Sequence, residues 1–278
     1  MIETVMYMTK RGRLGMPVNF LKNSVRVEVN HRVAKIELDN PNVLHGIKKD
    51  MVKELIQNFK EISISDDIQI VILTGKEGAF YTDLSSSILN ETENESDFYY
   101  TMDLINELII TLYSMPKLTI TGINGSASGL GMSLALATDH VLVSETSQLN
   151  MNAMKLGLIP IGGVHFFLAR RLGEDKAKHL IWNAKTLTAL ESLQLGLINE
   201  ISQGDIQQAM DHKVHHWIQS PVQAMIKTKM ILGEKNRPQL LKVLELEKFA
   251  QYRMIQTEDF QESCQALHEN RRPNYIGK

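Results

Sequence analysis

The stretch Gly125-Ser-Ala-Ser-Gly-Leu-Gly131 constrains this chain more than any other. It follows Leu118-Thr-Ile-Thr-Gly-Ile123, a run with the β-branched, nearly continuous apolar character of a buried strand. It precedes an apolar segment, through Ala137, that reads as a helix. Glycines at this spacing let the backbone come close to whatever faces them. The first turn of the helix beyond leaves N–H groups unpaired, with partial positive charge. An anionic oxygen suits such a corner. His140-Val-Leu-Val143 then reads as another strand, so strand, glycine turn, helix and strand form an α/β unit.

Three chemistries use a turn of this kind. The G-x-x-x-G-x-G spacing occurs in short-chain dehydrogenases, but on their first strand, followed by an acidic ribose-binding residue and a Tyr-x-x-x-Lys pair. Here Tyr252 and Tyr275 are the tyrosines beyond the turn, and neither has a lysine four residues on. A serine-nucleophile turn requires G-x-S-x-G, and the centre of Gly125 to Gly129 is Ala127. An oxyanion hole needs only main-chain donors aimed at developing charge, and it suits the segment best. Close helix packing with no ligand is the remaining alternative.

Elsewhere the patterning is regular. Val25 to Val29 and Val33 to Leu38 alternate around Asn30-His31, as two half-buried strands joined by a tight turn would. Met51, Leu55, Ile56, Phe59 and Ile62 recur at helical spacing, and Ile68 to Leu73 is a buried strand ending in Thr74-Gly75. Leu84 to Asp97 is polar and reads as a loop before a helix carrying Met102, Ile105, Leu108, Ile109 and Leu112. The last third is helical. Thr188-Ala-Leu-Glu191 reads as a capping box, and Ser220-Pro221 as an N-cap before a proline at the first helical position. Leu240, Leu244, Leu246, Phe249, Tyr252 and Met254 supply the apolar stripe of a long helix after Pro238. Residues 1–23 read as an arm outside the patterned region, 24–205 as the core, and 206–278 as a helical region.

A chain of 278 residues, 43% hydrophobic, buries one sizeable core. Thirty Lys+Arg against 32 Asp+Glu give a formal charge of −2, which supports neither nucleic-acid nor membrane-surface binding. A lone cysteine, Cys264, excludes an internal disulfide and reads as an ordinary, partly buried thiol, and no metal site is expected. Residues 1–19 lack the apolar core of a secretory signal, and no apolar run approaches bilayer length, so the cytoplasm is the default location.

Several stretches, in order and spacing, resemble the crotonase superfamily (enoyl-CoA hydratase/isomerase family) from about Val25 onward. They are Val33-Ala-Lys-Ile-Glu-Leu-Asp-Asn-Pro41, Val71-Ile-Leu-Thr-Gly75 with Ala79-Phe80, and Asn124-Gly125 with Ala127, Gly129 and Gly131. Further on come Leu134-Ala-Leu-Ala-Thr-Asp139, Lys155-Leu-Gly-Leu-Ile-Pro160 with Gly162-Gly163, and Arg170-Arg-Leu-Gly173. Leu195-Gly-Leu-Ile198, Asp259-Phe-Gln-Glu262 and Arg271-Arg-Pro273 complete the set.

The resemblance implies an α/β fold, a crotonase-like spiral of β-β-α units with a helical C-terminal region that forms trimers or hexamers. It implies an acyl-CoA or enoyl-CoA substrate, with coenzyme A as part of the substrate and no prosthetic group. It places the thioester oxygen between the backbone N–H groups of Leu84 and Leu130, with Gly129 and Gly131 lining the thioester pocket and His45 shaping the adenine end. Aligned without gaps, Leu84 is flanked by Asp83 and Ser85; a gapped alignment would set Asp83 at the family's aspartate instead.

The family's two catalytic glutamates fall on Ser133 and Ala153, and the position after Pro160, which carries a carboxylate in some isomerases of the family, holds Ile161. Asp83, His165, Tyr81 and Ser133 remain as groups near the pocket by family position. Each also has a structural reading: a turn residue, a packing histidine, a pocket wall and a satisfied helix hydroxyl. The resemblance therefore implies an isomerase-like or atypical acyl-CoA enzyme, or a non-catalytic acyl-CoA-binding protein, rather than a classical hydratase. The run Met151 to Pro160 resembles the branch that contains ring-epoxide isomerases of phenylacetyl-CoA breakdown.

Overall fold

A computed structural model of the chain describes residues 25–38, 48–76, 78–81 and 92–278. The expected N-terminal arm lies outside them. The strands are β1 (Val25–Asn30), β2 (Val33–Leu38), β3 (Ile70–Gly75), β4 (Gly78–Tyr81), β5 (Leu118–Ile123), β6 (Gly125–Ser128), β7 (His140–Ser144), β8 (Gln148–Asn150), β9 (Thr186–Thr188) and β10 (Glu200–Ser202). The helices are α1 (Lys49–Ile64), α2 (Glu95–Ser114), α3 (Leu130–Ala137), α4 (Val164–Leu172), α5 (Glu174–Asn183), α6 (Ala189–Leu195), α7 (Ile206–Ile218), α8 (Val222–Met254) and α9 (Glu258–His268), with a 3-10 turn at Asn152–Leu156.

The opening hairpin pairs β1 with β2 antiparallel, turning through His31 at φ +51°. From β2 onward the large sheet is parallel, in the order β1-β2-β3-β5-β7-β10. After each of β3, β5 and β7 the chain steps straight into a second, smaller sheet ordered β4-β6-β8-β9. A helix follows β3-β4 (α2) and β5-β6 (α3), and the 3-10 turn with α4 follows β7-β8. The result is a rising spiral of β-β-α units. Its second sheet explains what the glycine stretch conceals: Gly125 to Ser128 is itself a strand, paired with β4 on one side and β8 on the other.

Residues 70–73 are apolar without alternation because the large sheet is covered on both faces, as parallel sheets are. Val71 and Leu73 enter the main core with α1, α2 and α3, while Ile70 and Ile72 pack against Met210 and Val214 of α7 and Val222 and Ile226 of α8. The 33-residue α8 serves both clusters, its first turns in the smaller and Leu240 and Leu244 in the larger.

Four local expectations need correction. Helix α2 begins at Glu95, not after Asp97, because Asn94 caps it by accepting from the Asp97 N–H at 3.0 Å. Ser220 does not cap α8: its hydroxyl donates to the His216 carbonyl at 2.9 Å, and Pro221 stands at the cap. Pro238 does not precede the long helix but lies inside it, exposed, between the two packed ends. Burial at both ends outweighs the one backbone hydrogen bond the proline removes. Cys264 is exposed on α9. The Thr188–Glu191 capping box is present, with Glu191 N–H donating to Thr188 Oγ1 at 3.2 Å and Thr188 N–H donating to Glu191 Oε2 at 2.9 Å.

Replacing Pro238 by alanine restores an amide to an exposed helix interior. It is expected to stabilise the protein by about 1 kcal/mol, a rise in Tm of roughly 2–4 °C by thermal unfolding.

Candidate active site

The glycine turn lies where β6, held between β4 and β8, passes into α3. Strand β4 pairs with β6 in parallel, Gly78 with Gly125, Ala79 with Ser126 and, across a bulge, Tyr81 with Ala127. The chain leaves β4 beside the point where β6 turns into α3. At that turn Gly129 adopts φ +53°, ψ −131°, a backbone state that L residues other than glycine rarely take. Gly129 is exposed, whereas every residue of α3 is buried. Gly131 lies so close to β4 that a methyl group there would sit 2.6 Å from Tyr81 Cβ and 2.8 Å from the Tyr81 carbonyl oxygen. The N–H groups of Leu130 and Gly131 precede the first helical hydrogen bond, Met132 N–H to the Gly129 carbonyl at 3.1 Å, and Gly129 has no side chain to cap them. They carry the positive end of the helix dipole.

The C-terminal end of α3 is held from α4. Arg171 donates to the carbonyl of Leu136 at 3.0 Å and of Thr138 at 3.5 Å, and also to that of Leu197. Burial, then the neighbouring Arg170 charge, lower its guanidinium pKa to about 10, which leaves it charged at neutral pH.

Ser133, on which the family resemblance sets one of the two glutamates, is fully buried in α3. Its hydroxyl donates to the Ile161 carbonyl at 2.8 Å and lies 3.3 Å from the Gly129 carbonyl. It thus joins α3 to the turn Ile159-Pro-Ile-Gly-Gly163. Gly162 and Gly163 both hold positive φ, +76° and +81°, and face opposite neighbours. A methyl at Gly162 would meet Ser133 at 2.9 Å and Leu130 Cδ1 at 3.1 Å; one at Gly163 would meet Leu240 Cδ1 at 2.9 Å.

Ala153, on which the resemblance sets the other glutamate, lies half-buried in the 3-10 turn. That turn is braced by the C-terminal tail. Tyr275 donates to the Lys155 carbonyl at 2.7 Å, and the Asp259 carboxylate accepts from the N–H groups of Ile276 and Gly277 at 2.7 and 3.0 Å. Glu262 accepts both guanidinium nitrogens of Arg271, and this bonding draws its carboxyl down to about 2. The spaced motifs Asp259 to Glu262 and Arg271 to Pro273 therefore act as one clasp.

His165 points into α8, where its Nδ1 lies 2.7 Å from Glu247 Oε1. Tyr81 is buried, its hydroxyl 3.7 Å from the Met51 sulfur. Asp83, Leu84, Ser85 and His45 lie outside the described residues. Sequence reading missed Glu247 and Gln251, both almost fully buried on α8. Two of the six residues of the stripe it expected there are misplaced, since Leu246 and Phe249 are 58% and 53% exposed. The buried face runs 240, 244, 247, 251, and polar residues on that 4-3-4 spacing are the signal that was available.

The sequence profile of the enoyl-CoA hydratase/isomerase family matches residues 28–278. The Bacillus subtilis protein YhaR, named for that family, is 37% identical over 251 residues, 90% of this chain and 98% of its own. A 1,2-epoxyphenylacetyl-CoA isomerase of Escherichia coli K12 is 26% identical over 254 residues, 90% of this chain and 97% of its own. Among solved structures, an enoyl-CoA hydratase from Bacillus halodurans superposes with a TM-score of 0.82 at 24% identity, covering 88% of this chain and 100% of that one.

Gly131→Ala forces a methyl into the Tyr81 backbone and is expected to destabilise by about 1–3 kcal/mol. Gly204→Ala, with nothing within 4 Å, serves as control and should shift stability by less than about 0.5 kcal/mol. Thermal unfolding of the two variants compares them directly.

Proposed function

The chain belongs to the enoyl-CoA hydratase/isomerase family, and we propose that it binds an acyl-CoA or enoyl-CoA thioester with the carbonyl oxygen between the backbone N–H groups of Leu130 and Leu84. The observation that carries this reading is the contact of Tyr81 with Gly131, one residue from the first donor and three from the second. Three residues of chain span at most about 10 Å, so the end of β4 leaves Leu84 within reach of the glycine turn. Removing a proton beside the thioester moves negative charge onto its oxygen. Each fixed donor aimed there is worth about 10²–10³ in rate. Backbone donors need no particular side chain, so two leucines serve.

The proton-transfer chemistry departs from a hydratase. Water addition needs one group to take a proton from water and another to give one to the α-carbon. Ser133, Ala153 and Ile161 offer no carboxylate, and the Ser133 hydroxyl is engaged by the Ile161 carbonyl. We read the protein as an atypical, isomerase-like acyl-CoA enzyme, cytoplasmic and assembled as a homotrimer or hexamer. The same vacant positions support a second reading, a non-catalytic acyl-CoA-binding subunit.

Incubation with crotonyl-CoA and longer enoyl-CoAs, following the conjugated thioester absorbance and deuterium uptake at the α- and γ-carbons in D2O, separates the readings. Deuterium exchange or double-bond migration without hydration is the expected result. Binding without exchange selects the non-catalytic reading, rapid hydration overturns the assignment of the vacant positions, and absence of binding overturns both readings.

A further inference from the structure

Glu247 is a carboxylate with 2% of its side chain exposed, placed where α8 passes the turn that supports α3. It accepts three hydrogen bonds from the start of α4: from the Gly163 N–H at 2.7 Å, from the His165 N–H at 3.2 Å, and from the His165 ring at 2.7 Å. One helical turn on, Gln251 Oε1 accepts from the Ile159 N–H at 3.1 Å. These two side chains hold both ends of the segment 159–163. Inside that segment, the Ile161 carbonyl holds Ser133, and Gly162 packs on Ser133 and Leu130. An unbroken line of contacts therefore runs from α8 through the turn to the first residue of α3.

We infer that Glu247 and Gln251 are positioning residues of the thioester site, fixing through the 159–163 turn the direction in which the Leu130 N–H points. The inference rests on the two-donor reading above. Its physical basis is that a donor's value to a developing oxyanion depends on aim, and a backbone donor can be aimed only by moving the backbone. A buried carboxylate that accepts from two amides and an imidazole where the turn enters α4 is a rigid device for that purpose. Hydrophobic packing alone would let the turn slide, because Gly162 and Gly163 carry no side chains to lock it. The two glycines permit the close approach, and the carboxylate supplies the direction.

The test reads carbonyl polarisation, which requires no turnover. A cinnamoyl-CoA thioester is titrated into the full-length wild type and the variants Glu247→Gln, Gln251→Met and Val222→Ala. Each is followed for affinity, the red shift of the bound chromophore, and melting temperature. Glu247→Gln keeps the shape but presents one oxygen and an NH2 group to three donors, so at least one faces a hydrogen. Val222 is buried on the same helix about 37 Å away and controls for plain loss of stability.

The expected result is that Glu247→Gln and Gln251→Met lose more than half of the red shift, with affinity changed less than about threefold, while Val222→Ala keeps the shift. A folded Glu247→Gln with the wild-type shift overturns the inference. So does a Val222→Ala that loses the shift in proportion to its melting temperature. Should Glu247→Gln fail to fold, Gln251→Met decides alone by the same criterion. A wild type that binds the probe with no red shift overturns the two-donor reading and the inference with it, an outcome recognisable before any variant is made.

Discussion

Everything in the site depends on one close approach, that of Gly131 against the backbone of Tyr81. The small sheet exists only as short strands of three and four residues, and none of them would be stable alone. What registers β4 on β6 is the absence of a side chain at 131, together with the bulge that lets Tyr81 reach Ala127. Once those two strands are fixed, β4 ends beside the first turn of α3, and Tyr81 and Gly131, fifty residues apart in sequence, meet there. The buried, almost wholly apolar α3 cannot move independently, since its carbonyl end is tied by Arg171 and its amide end is packed under Gly162.

Legibility in the sequence followed backbone demands. The opening hairpin, α1, β3, β5, β7 and the Thr188 capping box could be read because each imposes a period or a terminal residue type that its neighbours share. Strand β6 could not, because Gly-Ser-Ala-Ser has none of the β-branched character of a strand and forms one only by pairing on both sides. Pro238 misled for the converse reason. Its local rule is strong, yet α8 is anchored at both ends by tertiary burial that no window around residue 238 contains.

The site was legible in a narrower way. Spacing alone located the glycine turn, and elimination of the dinucleotide and serine-nucleophile patterns left an oxyanion hole or close helix packing as its readings. The partner loop, with Asp83 and Leu84, came from family resemblance and lies outside the described residues. Glu247 and Gln251 went unseen because the expected apolar stripe was drawn through Leu246 and Phe249, which are exposed, rather than along the 240-244-247-251 face. A polar residue on a buried face must find a partner. Asking what those partners could be would have pointed from α8 to the turn.

The 159–163 turn is held by polar contacts from two sides. Ser133 is the position on which the family resemblance sets a glutamate, and its hydroxyl reaches the Ile161 carbonyl. A charged side chain in the same spot would set two acceptors against each other in a fully buried setting, at a penalty of several kcal/mol unless the turn moved. With Ser133 the turn is drawn onto α3, with Glu247 it is drawn onto α8, and the two pulls act on adjoining residues from opposite sides. The main chain of the turn is thereby fixed by groups on two different helices. Backbone donors are aimed only through the backbone around them, so rigidity of this kind is what the proposed thioester site requires.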